Sequence, residues 1–490
     1  MSLQNLIKRL QDIMRNDAGV DGDAQRISQI VWLLFLKVYD AKEQTWALED
    51  DNYKSIIPTE LQWHNWAVDN KDGKALTGDA LLELVNLRLF PTLKKLNITK
   101  DTPIKNKIVF YVFEDAINYM KDGVLLRQVI NVLNEVDFDD YKDLHAFGDI
   151  YETLLKSLQS AGNAGEFYTP RAVTDFMVEM ITPKLHESVA DFACGTGGFL
   201  TSALKHKEQY KKVAADILAI NNSIYGIEKK PLPYLLCMTN MLLHGLDEPR
   251  IHHDNSLERN VREYKEDEKF DVILMNPPYG GGEKDIIKQN FPAALRSSET
   301  ADLFMALIMY RLKNHGRCAV ILPDGFLFGN DTAKRGLKEK LLNEFNLHTI
   351  VRMPGSVFAP YTSITTNILF FEKNANGTKE TWFYRLDKPK GYKHFSKTKP
   401  ILLEHFKPAI EWWANREELT DEEGNFKSKR FTKAELVEKG YDFDQCKFPQ
   451  SVEEILEPDV LIKNYFEKKE NIEINIKNTL DAIMALLEKK

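Results

Sequence analysis

The sequence has few cysteines and no long apolar run. Its four cysteines, Cys194, Cys237, Cys318 and Cys446, form no CxxC pair, which disfavours a structural zinc site or a disulfide framework and favours a reducing compartment. The longest apolar run, Leu303–Tyr310, has eight residues, whereas crossing a bilayer takes roughly 20. The N-terminus also lacks the apolar core of a signal peptide. These absences predict a soluble cytoplasmic protein with no membrane partner and no metal site.

Positive charge is also scarce. The 490 residues contain 65 Lys and Arg against 73 Asp and Glu, which gives a net charge of −8 and a pI near 5.9. Because Lys and Arg dominate phosphate binding, this balance argues against a protein that grips nucleic acid over its whole surface. Either the chain acts elsewhere or a partner supplies the basic surface. At roughly 150 residues per domain, the length predicts two to four domains.

Two nucleotide-binding fingerprints are missing. The segment Asp191-Phe-Ala-Cys-Gly195-Thr196-Gly197-Gly198 follows a predicted strand and opens a helix, but Leu200 stands where G-x-G-x-x-G needs its third glycine. The chain also has no G-K-[ST] for a Walker A loop. Hydride transfer and ATP hydrolysis are therefore disfavoured. The glycines still allow a tight turn and a close approach of the backbone to a ligand, near the N–H groups of a helix.

The apolar pattern changes near Ser160. Before it, apolar residues recur at helical spacing and predict an N-terminal all-helical domain, residues 1–160, with a scaffolding or docking role. Beyond it, β-rich runs alternate with helical ones, which predicts a mostly parallel sheet with helices on both faces over residues 161–373. The predicted strands are Ser188–Cys194, Ser223–Glu228, Arg250–Asp254, Phe270–Met275, Cys318–Leu322 and a closing pair that could form an antiparallel edge, His348–Arg352 and Asn367–Glu372.

The sheet pattern is expected to stop near Asn374, which leaves residues 374–490 as a C-terminal partner-binding region. Within it, Lys379–Pro400 interleaves aromatic and basic residues, a pattern that fits a nucleic-acid contact, a solvated loop or a partner surface. One apolar stripe at the end of the chain predicts a terminal helix that packs on a partner helix or on its own domain. The stripe consists of Ile472, Ile476, Leu480, Ile483 and Leu487.

Two acidic residues follow predicted strands, at the edge of the sheet where ligands bind in such folds. Glu228 ends the second strand, where a carboxylate can accept hydrogen bonds from both hydroxyls of a ribose. Asp254 ends the third strand and is well placed to accept a hydrogen bond from the amino group of an adenine ring. Taken singly, each acid could be an ordinary loop carboxylate. Together with the glycine loop they form a series of strand ends that suits an adenosine-containing ligand.

The fourth predicted strand ends in Asn276-Pro277-Pro278-Tyr279. An amine on a planar ring is a poor nucleophile, because its lone pair is delocalised into the ring. The Asn276 side-chain oxygen and the Pro277 carbonyl can accept both amine hydrogens and so favour a nitrogen with a free lone pair. The prolines fix the backbone and offer no competing N–H, while Tyr279 can stack on the base. The quartet therefore predicts group transfer to an exocyclic amine.

In this order, the glycine loop, the strand-end acids and the N-P-P-Y quartet resemble the S-adenosylmethionine-dependent methyltransferases that act on adenine N6. The resemblance is narrower to the DNA-methylation (modification) subunit of type I restriction–modification systems, and it runs from about His145 to Lys373. It is carried further by Gly165-Glu-Phe-Tyr-Thr-Pro-Arg171 before the first strand and by the helical N-terminal domain. The family implies an α/β fold with a Rossmann-like methyltransferase sheet, a helical N-terminal domain and a helical C-terminal tail.

The resemblance also implies site residues, a cofactor and partners. S-adenosylmethionine would be the cofactor, double-stranded DNA the substrate, and a specificity subunit and a restriction subunit the partners, with two modification subunits per specificity subunit. The target base would be flipped out of the duplex to reach the pocket. The cofactor would contact Glu166, Phe167, Tyr168, Thr169, Pro170, Arg171, Asp191, Gly195, Thr196, Gly197, Gly198, Glu228 and Asp254. The target amine and its base would contact Asn276, Pro277, Pro278, Tyr279 and Phe358.

Several alternatives remain open from the sequence. N-P-P-Y also serves methyltransferases that act on protein glutamine or on RNA guanine N2, and a non-catalytic cofactor-binding scaffold is a further possibility. A cytosine-C5 enzyme would need a cysteine nucleophile at the place of this quartet, and Cys194 lies instead in the glycine loop, where it is expected to pack. Tyr361 lies close enough to Phe358 to compete for the role of the second stacking aromatic.

Overall fold

The computed structural model describes residues 3–69, 73, 75–136, 151–152, 154–155, 168–396, 398–449 and 458–487. The chain divides into two compact units, residues 1–447 and residues 448–490. Among the helices in the described ranges, none combines the length and the apolar character needed to cross a membrane.

Helices form the N-terminal part of the first unit, as the apolar spacing predicts. The long helix α2 buries its apolar side chains, among them Trp32, Phe35 and Tyr39, in the centre of this part. Helix α7 begins where the Asp122 carboxylate accepts hydrogen bonds from the N–H groups of Val124 and Leu125, at 2.7 and 3.0 Å. The helices are α1 Leu3–Met14, α2 Gly22–Glu49, α3 Trp63–Trp66, α4 Gly78–Glu83, α5 Phe90–Leu93, α6 Ile104–Glu114 and α7 Gly123–Asn134, with a π-helical turn over Leu84–Leu89.

A sheet with helices on its faces follows. Its helices are α8 Arg171–Ile181, α9 Gly198–Glu208, α10 Ala214–Ser223, α11 Pro231–Leu243, α12 Asp285–Lys288, α13 Thr300–Arg311, α14 Asp324–Phe328, α15 Thr332–Glu344, α16 Lys407–Ala414 and α17 Lys433–Glu438. Short 3-10 turns occur at Thr59–Leu61, Val261–Glu263, Glu266–Glu268, Ala293–Leu295 and Leu403–Phe406.

Ion pairs and hydrogen bonds join the helical part to the sheet part, among them a pair between Asp115 and His253 at 3.8 Å. Asp247, in the loop after α11, accepts hydrogen bonds from Lys42 Nζ at 2.8 Å and from Trp46 Nε1 at 3.1 Å, and both donors lie on α2. Helix α11 also packs along α2. Helix α11 also contacts the glycine loop described below. Packing of the helical part against α11 therefore stabilises that loop indirectly.

The sheet has ten strands in the order β3-β2-β1-β4-β5-β7-β6-β8-β10-β9. Strands β1 to β5 are parallel where they pair, β7 runs antiparallel to β5 and β6, and β8 runs parallel to β6. The central strands are buried on both faces and therefore read as nearly continuous apolar runs. The strands are β1 Val189–Asp191, β2 Ile224–Glu228, β3 Arg250–His253, β4 Phe270–Met275, β5 Leu312–Pro323, β6 Phe345–Arg352, β7 Thr366–Lys373, β8 Glu380–Arg385, β9 Leu419–Thr420 and β10 Phe426–Thr432.

The expectation that the sheet stops near Asn374 is wrong. The predicted closing pair, β6 and β7, is antiparallel but lies inside the sheet, because β8 pairs with β6 and β10 pairs with β8. The aromatic residues of β8 explain this. Phe383 and Tyr384 are buried, so this part of the basic aromatic stretch is a core strand and neither a solvated loop nor a surface.

In the second unit, helix α18 extends over Pro458–Leu487, as the terminal apolar stripe predicts. Ile472, Ile476 and Leu480 of that stripe are exposed, each by more than half of its surface. The side chains of Ile483 and Leu487 lie outside the described set.

Candidate active site

The ends of four neighbouring parallel strands meet at one cleft. Strands β3, β2, β1 and β4 lie side by side, so their carboxyl ends share one edge of the sheet. Asp191, Glu228, Asp254 and Asn276 stand at these ends, and all four line a cleft of about 870 Å³ that includes its open mouth. The lining residues also include Thr169, Cys194, Gly195, Thr196, Gly198, Lys229, Asn255, Pro278, Glu283 and Phe304.

The glycine loop between β1 and α9 turns through two left-handed residues. Gly195 has a φ of 53° and Gly197 a φ of 79°, a region that favours glycine. A Cβ atom on Gly197 would lie 2.9 Å from the Cys237 sulfur and 3.0 Å from the Met241 methyl, both on α11. Asn240 of the same helix donates a hydrogen bond from Nδ2 to the Thr196 carbonyl at 2.9 Å. Helix α11 therefore packs tightly under the loop and also bonds to its backbone.

Two buried acids support this loop from the neighbouring strand ends. Glu228 accepts hydrogen bonds from the Gly195 N–H at 2.9 Å and from the Lys230 N–H at 2.7 Å. Burial still raises the pKa of Glu228 above its ordinary value. Burial also raises the pKa of Asp191 to about 8, and the nearby Glu228 charge adds to that shift. Asp254 differs because it is exposed at the cleft, where its backbone N–H donates to the Glu228 carbonyl at 3.1 Å.

The motif before the first strand is described from Tyr168 onward, and Gly165, Glu166 and Phe167 lie outside the described residues. Of the described part, Thr169 lines the cleft, whereas Tyr168 is buried. Arg171 does not line the cleft. Its Nη1 donates to the Gly198 carbonyl at 2.6 Å, which ties the start of α8 to the start of α9.

Arg171 has a partner that the sequence did not single out. Its Nε donates to Glu152 Oε2 at 2.6 Å, and a second nitrogen pairs with the other oxygen of this carboxylate. Although burial alone would raise the pKa of Glu152, the Arg171 guanidinium holds it below its ordinary value. Glu152 lies in the helical stretch just before the motif, and that closeness in sequence is the only signal that marks it. The pair positions the glycine loop and does not contact the cleft.

In the N-P-P-Y quartet, the side-chain amide of Asn276 forms hydrogen bonds with two other side chains, those of Thr169 and Tyr279. Asn276 Nδ2 donates to Thr169 Oγ1 at 3.0 Å, and the Tyr279 hydroxyl donates a short hydrogen bond to Asn276 Oδ1. Burial, together with the nearby Tyr361 hydroxyl, raises the pKa of Tyr279 well above its ordinary value. Asn276 and Pro278 line the cleft, while Pro277 is buried behind them. Two members of the quartet thus share the cleft with part of the predicted cofactor set, namely Thr169, Asp191, Gly195, Thr196, Gly198, Glu228 and Asp254. Tyr168, Pro170, Arg171, Gly197, Pro277 and Tyr279 do not line it.

The two competing aromatics lie in different surroundings. Phe358 is only 5% exposed and belongs to the hydrophobic core together with Phe395, and it does not line the cleft. Tyr361 does not line the cleft either, but it is 37% exposed and lies near Tyr279. Phe358 would have to leave this core to stack on a base, whereas Tyr361 would not. Base stacking by Phe358 stays a prediction.

Glu283 also lines the cleft, although the sequence does not predict it as a site residue. It follows the glycines after the quartet, where no strand or motif marks it, and Lys229 Nζ lies 3.4 Å from its carboxylate. Lys229 itself follows β2 directly. The pair therefore links the loop after the quartet to the strand end that carries Glu228.

Comparison with known proteins identifies the family. The model of the N-6 DNA Methylase family matches residues 142–456, and that of the HsdM N-terminal domain matches residues 3–133. The chain is 52% identical over 469 residues to the type I restriction enzyme EcoEI methylase subunit of Escherichia coli, covering 95% of this chain and 94% of that subunit. It is 27% identical over 434 residues to the EcoKI methylase subunit of Escherichia coli K12, covering 83% and 76% of the two chains.

Solved structures agree. A chain from a structure that describes complex assembly and conformational transition of the type I R-M system is 36% identical, with a TM-score of 0.81 and 98% of each chain covered. The predicted fold class, family and activity are confirmed, and the protein-glutamine, RNA and scaffold alternatives are not favoured. The chain belongs to the methylase (modification) subunits of type I restriction–modification systems, which makes it an adenine-N6 DNA methyltransferase.

Proposed function

We propose that the cleft binds S-adenosylmethionine beside the N-P-P-Y quartet and that the methyl group passes directly to adenine N6, without a covalent enzyme intermediate. The observation that carries this proposal is the convergence of Asp191, Glu228, Asp254 and Asn276 on one cleft. The first three suit an adenosine-containing cofactor, and the fourth suits an amine. When bound, S-adenosylmethionine supplies an electrophilic methyl group on a sulfonium sulfur.

The residues of the cleft fit this cofactor. Each carboxylate oxygen of Glu228 accepts one backbone N–H and keeps acceptor capacity for a ribose hydroxyl. Exposed Asp254 can accept from the adenine amino group. Helix α9 begins beside Thr196, Gly197 and Gly198, and the partial positive charge of its N-terminus favours the carboxylate of the methionine portion. In this proposal Glu166, Phe167 and Thr169 contact the methionine portion of the cofactor. Buried Tyr168 and Pro170, and Arg171 through its hydrogen bond to the Gly198 carbonyl, hold this segment and the glycine loop in place.

Asn276 would act on the target amine. Its Oδ1 and the Pro277 carbonyl accept the two amine hydrogens, which favours a more tetrahedral nitrogen with an available lone pair. Thr169 is a positioning residue in this scheme, because the hydrogen bond from Asn276 Nδ2 to Thr169 Oγ1 turns Oδ1 toward Tyr279. The target amine would then replace the Tyr279 hydroxyl as the donor to Oδ1, leaving that ring to stack on the base.

The net charge of the chain and its family both support the DNA substrate and the partner subunits that we propose. An adenine inside a duplex cannot enter the cleft, so it must be flipped out, and aromatic stacking would replace the lost base stacking. Phe358 is the predicted second stacking residue, with Tyr361 in competition. The net charge of −8 supports a division of labour in which a specificity subunit reads the sequence and supplies much of the phosphate contact. We propose two modification subunits per specificity subunit, a restriction subunit as further partner, and the cytoplasm as the location.

Methyl incorporation tests this function. The full-length chain, with and without its specificity subunit, receives S-adenosylmethionine labelled on the methyl group and duplex DNA that lacks N6-methyladenine. We expect label on adenine N6, with site selection only when the specificity subunit is present. Label in protein or RNA but not in DNA would overturn the proposal. Cofactor binding without transfer to any substrate would favour a scaffold.

A further inference from the structure

A lysine-rich loop leaves the sheet at the same edge as the candidate active site. We define the lysine loop as the described residues 388–396 and 398–399, after β8. Strand β8 runs parallel to β6, and β6 runs antiparallel to β7 as β5 does, so β8 points in the direction of β4. Four strand spacings separate β4 from β8 in the order β4-β5-β7-β6-β8, about 19 Å in all. The loop therefore lies to one side of the quartet.

The lysine loop is anchored next to the segment that carries the candidate stacking aromatics. The Phe395 N–H donates to Ser356 Oγ at 2.9 Å, and the Phe395 ring is buried with Phe358 in one core. The Leu386 N–H, just before the loop, donates to the Arg352 carbonyl at 2.9 Å. These contacts place the loop beside residues 353–365, whose Tyr361 lies near Tyr279. Its distance from the target side of the cleft is therefore set by the fold.

Four lysines of the loop have solvent-exposed side chains. Lys388, Lys390, Lys393 and Lys399 are exposed, and among the described residues none of the four forms an ion pair with a carboxylate. Lys388 Nζ donates to the Lys393 carbonyl at 2.6 Å, and Lys399 Nζ lies 5.6 Å from the centre of the Tyr392 ring. Neither contact cancels a charge.

Two arginines nearby behave in the opposite way. Arg352 is buried and pairs with Asp324 and Asp444. Arg385 is buried and pairs with Asp387 at 2.8 Å and Asp421 at 2.9 Å. These four carboxylates are thus engaged by structural arginines, and Asp387 is further shared with Lys427 at 3.2 Å. Exposed Glu404 near the loop pairs with His405 at 3.8 Å. Among the described residues, the four loop lysines are left without an ion-pair partner.

The loop suits phosphates better than bases. Of the aromatic residues in the basic stretch, Phe383, Tyr384 and Phe395 are buried in the core. Trp382 and Tyr392 are half-buried and pack on Trp412 and Phe395, which leaves them little surface for stacking on a base. Lysines bind phosphate as point charges, fix the position of a duplex and carry no sequence information themselves. We propose that the lysine loop binds the DNA backbone on one side of the target adenine, an interaction that rests on the proposed function. At 3.4 Å per nucleotide along one strand, about 19 Å corresponds to five or six nucleotides.

Charge removal tests the proposal on the full-length chain in complex with its specificity subunit. The variant K388Q/K390Q/K393Q/K399Q removes the four charges. The matched control, K184Q/K211Q/K212Q/K265Q, removes four exposed lysines from segments that precede β1, β2 and β4, at the opposite edge of the sheet. Each lost phosphate contact lowers the slope of log affinity against log salt by about 0.9, so we expect a drop of about 2 to 4 for the loop variant. We expect its affinity for duplex DNA at 100 mM salt to fall at least about tenfold.

A modified duplex locates the contact. Uncharged methylphosphonate groups five or six nucleotides from the target adenine should weaken binding by the parent and the control but leave the loop variant unchanged. The KM for S-adenosylmethionine should stay within about twofold in all proteins, since no described residue of the loop lines the cleft.

Three results would overturn the inference. One is a loop variant with the DNA affinity and salt slope of the parent. Another is equal losses in the variant and the control, which would show a general charge effect. The third is dissociation of the specificity subunit from the loop variant, which would identify a protein-binding surface. A parent complex that methylates no DNA would count against the proposed function itself, whereas a methylating parent matched by the variant would count against the loop alone.

Discussion

The two halves of the cleft differ in how their polar groups are satisfied. In the half that we propose to bind the cofactor, called the cofactor half, Glu228 and Asp191 are buried and accept hydrogen bonds from backbone N–H groups. In the half that we propose to bind the target base, called the target half, Asn276 is held by the side chains of Thr169 and Tyr279. Backbone donors keep their place whether or not a ligand is present, but side chains can exchange partners. The cofactor half is therefore built to be rigid, and the target half is built to rearrange when a base enters.

The sharpest test of this contrast is Asn276→Ala. The substitution removes an acceptor that would act on the reacting amine only, so we expect methyl transfer to fall by about 10³-fold or more, with affinity for S-adenosylmethionine within about threefold of the parent. Single-turnover transfer and titration calorimetry measure the two quantities. Loss of cofactor binding in this variant would show that the two halves are not separable and that Asn276 is misassigned.

Gly197→Ala tests the rigidity of the cofactor half. The new Cβ atom would meet the Cys237 sulfur and the Met241 methyl of α11 at 2.9 and 3.0 Å, in addition to the strain of a left-handed φ. We expect the free energy of unfolding to fall by about 2 to 4 kcal/mol. The control is Gly245→Ala, which has a φ of 81° but nothing within 4 Å of the added atom, and which should cost about 1 kcal/mol.

Chemical denaturation of the full-length proteins measures this difference. If the two alanine variants are equally stable, the packing of α11 against the glycine loop contributes nothing and the cofactor half is less rigid than proposed. Weaker binding of S-adenosylmethionine by the Gly197 variant alone would place the effect at the loop.

The pH dependence of stability tests the buried acids. Burial raises the pKa of Asp191 to about 8 in the folded protein, against about 4 for an unfolded chain. Between these values the folded state holds a proton that the unfolded state has lost. The contribution of Asp191 to stability is therefore full below about pH 4 and declines as the pH rises toward 8, by up to about 1.4 kcal/mol per pH unit. Glu228 faces Asp191, and its raised pKa adds to the decline.

Asp191→Asn cannot ionise and removes the larger part of this decline. We expect its melting temperature, relative to that of the parent, to rise between pH 5 and pH 8. Asp254→Asn, which removes an exposed carboxyl of the same cleft, is the control and should follow the parent. Parallel curves for all three proteins would contradict a protonated buried Asp191.

Much of the cofactor half could be predicted from local pattern. Glu228 and Asp254 follow strands whose apolar runs are visible in the sequence, and parallel strands bring their carboxyl ends to one edge. Asn276 was predicted for the same reason. Residues that act through long-range contacts carried no such signal. Asn240 and Glu152 support the glycine loop from other helical segments, and only packing shows what they touch.

The far side of the sheet was harder to predict. Strand β8 is rich in aromatic and charged residues, and its burial depends on pairing with β6, about 30 residues earlier in the chain. The same sequence is compatible with a surface loop until that partner is in place. This is why the predicted end of the sheet near Asn374 was wrong while the strand ends from β1 to β4 were found.

By itself, the sequence determined the chemistry of this protein: a glycine loop, two strand-end acids and an N-P-P-Y quartet in a fixed order, all within short segments. The tertiary structure decided which residues support them, that Phe358 is buried while Tyr361 is partly exposed, and which lysines of the loop are exposed. The physical reason is the separation along the chain of the residues that interact. Motifs and strand patterns depend on neighbours along the chain, whereas burial, ion pairing and exposure depend on segments that meet only after folding.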